Sequence, residues 1–364
     1  MVGWSPKKFA LLASSAGLSI ALAMGSWSVA KACGMFRGIR VAPEQMPTLS
    51  REKVLIIHDA AKGEEHFIRE VAFERAGERL GFVVPTPTRP TVAAVDKTPF
   101  TNLRKAFPFF APFAVDGIGR GGGYGRGSGA GFGGGGVTVL EQTKVGSFET
   151  YVLAATDEAD LAKWLADNGL VASTGAEAWL KHYVQMGFYY VAMRYDPPKR
   201  GRKAKDAKAP PVTAETIRIS FATPMPYYPY LEPVEPKLKG ESPRLLEVWY
   251  AGVEAVVPVS LHGAGAQQAW VRPLKPGEEY ADGRDKVEGA IAADLHGLLP
   301  AGPLVVQTFQ DQKRSREGLG DVLFVPKEPQ RLDAAQVAKL QPLLGILDPA
   351  LAPKPAEVAK DVAP

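Results

Sequence analysis

The clearest pattern of hydrophobic and polar positions lies between residues 53 and 85, where three strand-like segments follow one another. Residues 54–57 form a short apolar run, and residues 59–63 supply turn-forming side chains. The next segment alternates, with Phe67 and Phe73 on one face and charged residues on the other. Residues 80–84 form the third apolar run before a group of prolines. This pattern predicts a meander of antiparallel strands.

A helix start follows the meander. Thr98 precedes Pro99, which is favoured at the first position of a helix, and Phe100, Leu103 and Phe107 recur at helical spacing. We expect these three side chains to form the buried face of a short helix.

The middle of the chain predicts a strand–helix–helix–strand unit. Residues 151–153 read as a strand, and Thr156 stands where a helix cap is expected, before a stripe that contains Leu161. Thr174 opens a second helix, and residues 188–193 form the next strand. Further strands are expected at residues 217–221, 245–250, 253–259, 304–309 and 322–325. The fold class predicted from this order is α+β with predominantly antiparallel sheets.

A glycine-rich segment divides the chain. Residues 117–136 contain 13 glycines in 20 positions, which is typical of a flexible loop because so few side chains are available for burial. The predicted organisation is a signal peptide (1–32), an N-terminal β-rich part (33–116), the Gly-rich loop (117–136), an α+β body (137–326), and a terminal helix with a Pro/Ala-rich tail (327–364).

The N-terminus has the features of an export signal. Lys7 and Lys8 precede residues 9–30, which carry no charge, and Ala30 and Ala32 fit a signal-peptidase site before Cys33. One alternative is a retained membrane anchor, against which the serines and glycines of the apolar stretch argue. The other is lipidation of Cys33, against which Lys31 argues. We expect a periplasmic or extracellular protein, bound to the membrane only if the signal is retained or Cys33 is lipidated.

Charge argues against nucleic acid as a partner. Removing Lys7, Lys8 and Lys31 from a net charge of +4 leaves +1 for the mature chain, whereas nucleic-acid binding depends on concentrated positive charge. The basic insertion at residues 199–208 is interpreted as a solvated loop, with an anionic lipid or polysaccharide contact as the alternative.

Motifs for catalysis, cofactors or metals are weak. Residues 117–122 match G-x-G-x-x-G, but neither a strand before them nor a helix after them supports a nucleotide site. The five histidines lack metal-ligand spacing, and no G-x-S-x-G motif occurs. His58 and His66 flank a polar turn, which is interpreted as a solvated turn, with a weak metal site as the alternative. We therefore predict no catalytic, cofactor-binding or metal-binding residues.

Several short motifs resemble those of one bacterial family. They are Ala32-Cys33-Gly34 and residues 81–87, 145–151, 161–169, 187–192, 217–221 and 321–324. Their order is similar to that of exported bacterial proteins that carry a domain of unknown function. The resemblance implies export and the extent of the domain, and it implies no activity. Similar proteins often have more cysteines. Because Cys33 is the single cysteine of this chain, the resemblance does not imply a disulfide bond within it.

Two functional hypotheses follow. The first is a non-catalytic envelope or extracellular binding protein, with Tyr227, Tyr228 and Tyr230 as its contact surface, because Tyr and Pro provide contact area at low entropic cost. The alternative for these tyrosines is a packed bridge between strands. The second hypothesis is an enzyme that acts on envelope polymers through carboxylates or through His58 and His66. The partner or substrate is not specified by the sequence.

Overall fold

A computed structural model describes residues 35–38, 48–74, 79–109, 136–146, 148–172, 174–196, 212–213, 216–233, 245–262, 269–312, 316 and 319–327. This part of the chain forms a mixed α+β fold with mostly antiparallel sheets, which confirms the predicted class.

The largest sheet has eight strands, which come from both halves of the chain. They are β2 (Thr48–Asp59), β3 (Glu64–Glu74), β5 (Thr91–Ala94), β10 (Val212–Thr213), β11 (Ile217–Ala222), β13 (Leu245–Gly252), β16 (Lys275–Tyr280) and β17 (Val305–Asp311). Their order is β16-β17-β13-β2-β3-β11-β5, and β10 pairs with β3. β2 and β3 form the predicted hairpin, with Gly63 at a positive φ of 62° in its turn. β2 and β13 pair in parallel.

The second sheet has six antiparallel strands in the order β6-β7-β9-β4-β1-β8. They are β1 (Met35–Gly38), β4 (Leu80–Thr86), β6 (Val137–Val145), β7 (Phe148–Ala155), β8 (Leu170–Val171) and β9 (Tyr189–Tyr195). β4 lies between β1 and β9, so strands from both sides of the glycine-rich segment share this sheet. The glycine-rich segment therefore does not separate two independent sheets.

The third sheet has the order β12-β18-β14-β15. Its strands are β12 (Tyr227–Tyr228), β14 (Val256–His262), β15 (Ala269–Val271) and β18 (Val322–Pro326). The described residues also contain five helices, α1 (Phe100–Ala106), α2 (Glu158–Asp167), α3 (Thr174–Gln185), α4 (Arg284–Ala290) and α5 (Ala293–His296).

Alternate residues of β2 enter two different cores, because successive side chains of a strand point to opposite faces. Val54 and Ile56 belong to a cluster that includes residues of all three sheets, which we call the main core. Leu55 and Ile57 belong to a second cluster with residues of α1, α4 and α5, which we call the helical core. All four side chains are fully buried, and each contributes about 1.5–3 kcal/mol by its removal from water. The large sheet thus separates the two cores.

The helices largely follow their predicted stripes, and α3 begins at Thr174 as expected, but α1 and α2 begin at different residues from those predicted. Phe100, Leu103 and Phe107 are buried, as predicted. Thr98 does not cap α1; its hydroxyl donates to Glu70, and Pro99 is the residue before the helix. At α2 the capping residue is Asp157, one residue later than expected.

Asp157 caps α2 because its extended backbone lets the carboxylate accept from two backbone N–H groups. The donors are Ala159, at 2.8 Å, and Asp160, at 3.0 Å. A two-residue strand, β8, also lies between α2 and α3, and it is too short to produce a recognisable alternation. From β7 to β9 the elements are therefore strand, helix, short strand, helix and strand.

Candidate functional site

The segment between β11 and β13 contains the three tyrosines predicted to form a contact surface. Tyr227, Tyr228 and Tyr230 are all 0% exposed and belong to the main core. This corrects the expectation of an exposed surface, and the alternative interpretation, a packed bridge between strands, describes the observed geometry. The prolines around the rings interrupt the strand, so the segment pairs with β18 over only two residues, Tyr227 and Tyr228.

Each of these tyrosine hydroxyls donates to a different buried carboxylate. Tyr227 Oη lies 2.6 Å from Asp321 Oδ2, Tyr228 Oη lies 2.7 Å from Glu52 Oε1, and Tyr230 Oη lies 2.6 Å from Asp311 Oδ2. A buried hydroxyl needs a hydrogen-bond partner, and these carboxylates supply one to each ring. We call the three tyrosines and their carboxylates the tyrosine–carboxylate network.

Asp321 accepts hydrogen bonds from three residues. Besides Tyr227, the hydroxyl of Tyr183 lies 2.9 Å from each of its oxygens, and the Leu231 N–H donates at 2.8 Å. Burial raises the pKa of Asp321 from its usual value, while these hydrogen bonds and His182 act in the opposite direction. The carboxylate thus joins α3 and the tyrosine segment at the start of β18.

Two buried arginines complete the network. Arg69 lies 3.0 Å from Glu52, and both side chains are buried. Arg316 lies 3.0 Å from Asp311 and 3.3 Å from Glu232, and its guanidinium stacks 4.0 Å from the centre of the Tyr230 ring. Burial alone would lower the pKa of Arg316, but Glu232, Asp311 and the neighbouring tyrosines raise it well above its usual value. Arg316 is therefore held as a cation between two acids, and Arg69 is paired with Glu52.

Glu65 and His58 lie opposite each other on β3 and β2, on the face that borders the main core. Glu65 Oε2 accepts from the Tyr227 N–H at 2.6 Å, and burial raises the pKa of Glu65 well above its usual value. His58 Nε2 donates to the Thr223 carbonyl at 3.1 Å, and burial lowers the pKa of His58. Both groups therefore favour their neutral forms and hold the start of the tyrosine segment.

His66 lies on the other face of the same sheet. It stands opposite Ile57 on β2 and Ser220 on β11, and its Nδ1 lies 2.8 Å from Ser220 Oγ. Its Nε2 lies 3.8 Å from Glu64 Oε2. The structure therefore does not bring His58 and His66 together, because the alternation of β2 and β3 directs them to opposite faces.

The polar turn between β2 and β3 is exposed at Ala60, Ala61 and Lys62, as expected of a solvated turn, whereas the residue that precedes it is not. Asp59, which ends β2, is buried and accepts from the N–H groups of Ala61 and Lys62 at 3.1 and 3.2 Å. The side-chain contact with Lys62 is the largest cause of the lowered pKa of Asp59. Within the described ranges, no group of three or more His, Cys, Asp or Glu residues is arranged to hold a metal ion.

The network was missed at the sequence level, although its strands carry a signal. Glu52 shares its face with Val54 and Ile56, and Arg69 shares its face with Phe67. A charged residue at a core-facing position of an apolar strand indicates a buried ion pair. The identity of its partner depends on the pairing of strands.

The export-related residues Ala30, Ala32 and Cys33 lie outside the described residues, as do residues 117–135 and 199–208. No helix in the described part of the chain is long and apolar enough to cross a membrane.

The fold and the network define a mixed α+β protein whose interior is joined by buried polar contacts. A family model described as "Uncharacterized protein conserved in bacteria (DUF2330)" matches residues 28–231, and the chain belongs to this family. No curated protein matches the sequence. Among solved structures, the crystal structure of baculovirus P35 is 7% identical with a TM-score of 0.37, and the match covers 80% of this chain and 99% of that chain. This similarity is too low to support an inference about function.

Proposed function

We propose that this member of an uncharacterised bacterial family is an exported protein of the cell envelope or the extracellular space that acts by binding a partner or a surface component. Export is supported by the signal-like pattern of residues 1–32. Within the body, the β7–β9 segment with its helices is proposed to act as one structural unit, because β7 and β9 pair along seven residues of each strand.

One observation carries the assignment to binding rather than catalysis. The buried acids Glu52, Asp311 and Asp321 are each engaged by tyrosine hydroxyls, and the first two also by arginines. An acid held this way stabilises the interior, whereas a general acid or base must reach a substrate. These carboxylates therefore serve the architecture, and the proposed binding uses other surfaces of the protein.

Export is tested by expressing the full chain in a bacterial host, separating the compartments, and measuring intact mass. The expected result is an unmodified chain that begins at Cys33 outside the cytoplasm. Ala32→Trp should block cleavage, because a bulky residue does not fit the small-residue position, and Lys31→Ala is the matched control that should be cleaved normally. An uncleaved wild-type chain in the cytoplasm would refute export. A lipid-sized increase in the mass of the mature chain would show that the protein is a lipoprotein and not a free exported protein.

Binding is tested with the purified mature chain and isolated cell-wall sacculi, outer-membrane vesicles and capsular polysaccharide. We expect saturable co-sedimentation with one of the three preparations, without change in the mass or composition of the polymer. Polymer breakdown would instead favour the enzyme, and the absence of saturable binding to all three would contradict an envelope-binding role.

A second candidate function is an enzyme that acts on envelope polymers. The contact between Ser220 Oγ and His66 Nδ1 favours it, because a hydroxyl hydrogen-bonded to an imidazole is the elementary unit of nucleophilic acyl transfer. The candidate base is therefore His66 alone. His58 is engaged by a backbone carbonyl on the other face of the sheet.

A further inference from the structure

Ser220, His66 and Glu64 lie in a row near one end of the large sheet. Ser220 on β11 is the cross-strand neighbour of His66 on β3, and their side chains meet at 2.8 Å. Glu64, two residues before His66 on the same face, places its carboxylate 3.8 Å from the other ring nitrogen. A hydroxyl, an imidazole and a carboxylate therefore follow one another, in the order used for activating a serine.

The carboxylate fixes the useful tautomer of the ring. Glu64 is acceptor-only when ionised, so it favours the hydrogen on Nε2 of His66. Nδ1 is then an acceptor, and the Ser220 hydroxyl donates to it. At 3.8 Å the Glu64 contact is an electrostatic one, longer than a hydrogen bond. In this arrangement the ring is ready to take the serine proton.

The surroundings keep the ring neutral near pH 7. Burial is the largest influence and lowers the pKa of His66. The charged groups around it are Glu64 and Asp59, which raise this pKa, and Arg218 and Lys62, which lower it. His58 also interacts with the ring, from the opposite face of the sheet. A neutral imidazole is the form that acts as a base.

The same groups supply positive charge and an approach from solvent. Arg218 lies two residues before Ser220 on the same face of β11. Lys62 is 61% exposed and Glu64 is 41% exposed. Ser220 also pairs across strands with Thr91, an exposed residue of β5, which is the edge strand of the sheet. Ser220 and His66 are themselves only 6% and 5% exposed, so a small acyl group would approach the hydroxyl past these exposed neighbours, on the side that carries the positive charge of Arg218 and Lys62.

We propose that Ser220 is a nucleophile, activated by His66, for small acyl esters that carry a negatively charged group. This inference rests on the second candidate function. Ser220 Oγ forms a bond to the acyl carbon while its proton passes to His66 Nδ1. The ester C–O bond then breaks, and the leaving alcohol takes that proton. Water, deprotonated by the same nitrogen, releases the acid and restores Ser220. Glu64 is a positioning residue that acts through His66.

The test is reaction of the full chain with a fluorophosphonate, which forms a stable adduct on an activated serine. We expect one adduct per chain, located at Ser220 by peptide mapping. Ser220→Ala should abolish it. Ser260→Ala is the matched control, because Ser260 is also a strand serine whose hydroxyl is hydrogen-bonded, to Gly320 O at 2.8 Å, and this variant should retain full labelling. His66→Gln should slow labelling by at least about 100-fold, the usual contribution of a general base.

A pH profile separates activation from a purely structural hydrogen bond. The wild-type rate should rise with pH to a plateau, with a midpoint below 6.5 because the pKa of His66 is lowered. Glu64→Gln removes a group that raises this pKa, so the midpoint should move to lower pH and the plateau should fall. Absence of an adduct, an adduct at another serine, or a rate that does not change in His66→Gln would overturn the proposal. Any of these results with a cleaved, exported chain leaves the binding function standing, so the two failures are distinguishable.

Discussion

Replacing Tyr227 with Phe tests whether the tyrosine–carboxylate network stabilises the fold. The change removes one hydroxyl, which lies 2.6 Å from Asp321 Oδ2, and keeps the ring and its edge contacts with Phe188 and Phe221. Since both partners are buried, the change removes the hydrogen bond to the Asp321 carboxylate together with the contact between the Tyr227 and Tyr183 hydroxyls. We expect the free energy of unfolding to fall by about 1.5–3 kcal/mol.

Tyr190→Phe provides a matched control. Tyr190 is also 0% exposed, but its hydroxyl has no hydrogen-bond partner among the described residues, and burial is the cause of its raised pKa. Removal of a buried hydroxyl without a partner relieves a desolvation cost, so this variant should be neutral or slightly more stable than wild type.

The assay is equilibrium unfolding in urea at pH 7, followed by tryptophan fluorescence and far-UV circular dichroism. An unchanged dependence on urea would show that the two variants unfold from comparable states. In an Asp321→Asn background the cost of Tyr227→Phe should shrink, because the two groups act as a pair. If Tyr227→Phe lost no more stability than Tyr190→Phe, the structural role assigned to the network would be wrong.

Two further predictions concern stability. Burial raises the pKa of Glu65 above 4.5, so the contribution of Glu65 to stability is complete below pH 4.5 and is lost as pH rises through the native pKa. The resulting fall in the free energy of unfolding approaches about 1.4 kcal/mol per pH unit. Glu65→Gln should flatten this pH dependence in urea unfolding measured from pH 4 to 8. An unchanged slope in the Glu65→Gln variant would contradict the buried neutral acid. Gly81→Ala should cost about 1–3 kcal/mol in thermal unfolding, because a Cβ at this position would lie 2.8 Å from the Met193 carbonyl oxygen. Gly289→Ala is the control and should not destabilise the fold, because a Cβ there meets nothing within 4 Å. Equal effects of the two changes would refute the overpacking argument.

The local elements were predictable because their signals are short-range. The alternation around Phe67 and the spacing of Phe100, Leu103 and Phe107 each lie within one strand or one helix, and the burial of these side chains agrees with them. The start of α2 was displaced by one residue because Thr156 and Asp157 are both good caps, and only the backbone geometry selects Asp157.

The polar interior was not predictable in the same way. The proline-rich sequence around Tyr227 and Tyr230 predicts exposed side chains. Their hydroxyls instead donate hydrogen bonds to Asp321 and Asp311, which lie more than eighty residues later in the chain. His58 and His66 lie on opposite faces of the sheet because successive side chains alternate along the strands of one hairpin. Their faces are fixed once the register of β2 and β3 is known. The Ser220–His66 contact requires the pairing of β11 with β3, which no local pattern specifies.

The parallel pairing of β2 with β13 has a consequence for the order in which the chain acquires structure. Leu245 pairs with Arg51, about 190 residues earlier, and contacts this distant in sequence form late and slowly. A nascent chain that has reached residue 231, where the family match ends, still lacks β13 and the acids that accept from Tyr227 and Tyr230. Until then β2 presents an open edge of unpaired backbone groups, which other chains can join. The final third of the protein is therefore what closes the fold, and a fragment limited to the matched region should aggregate.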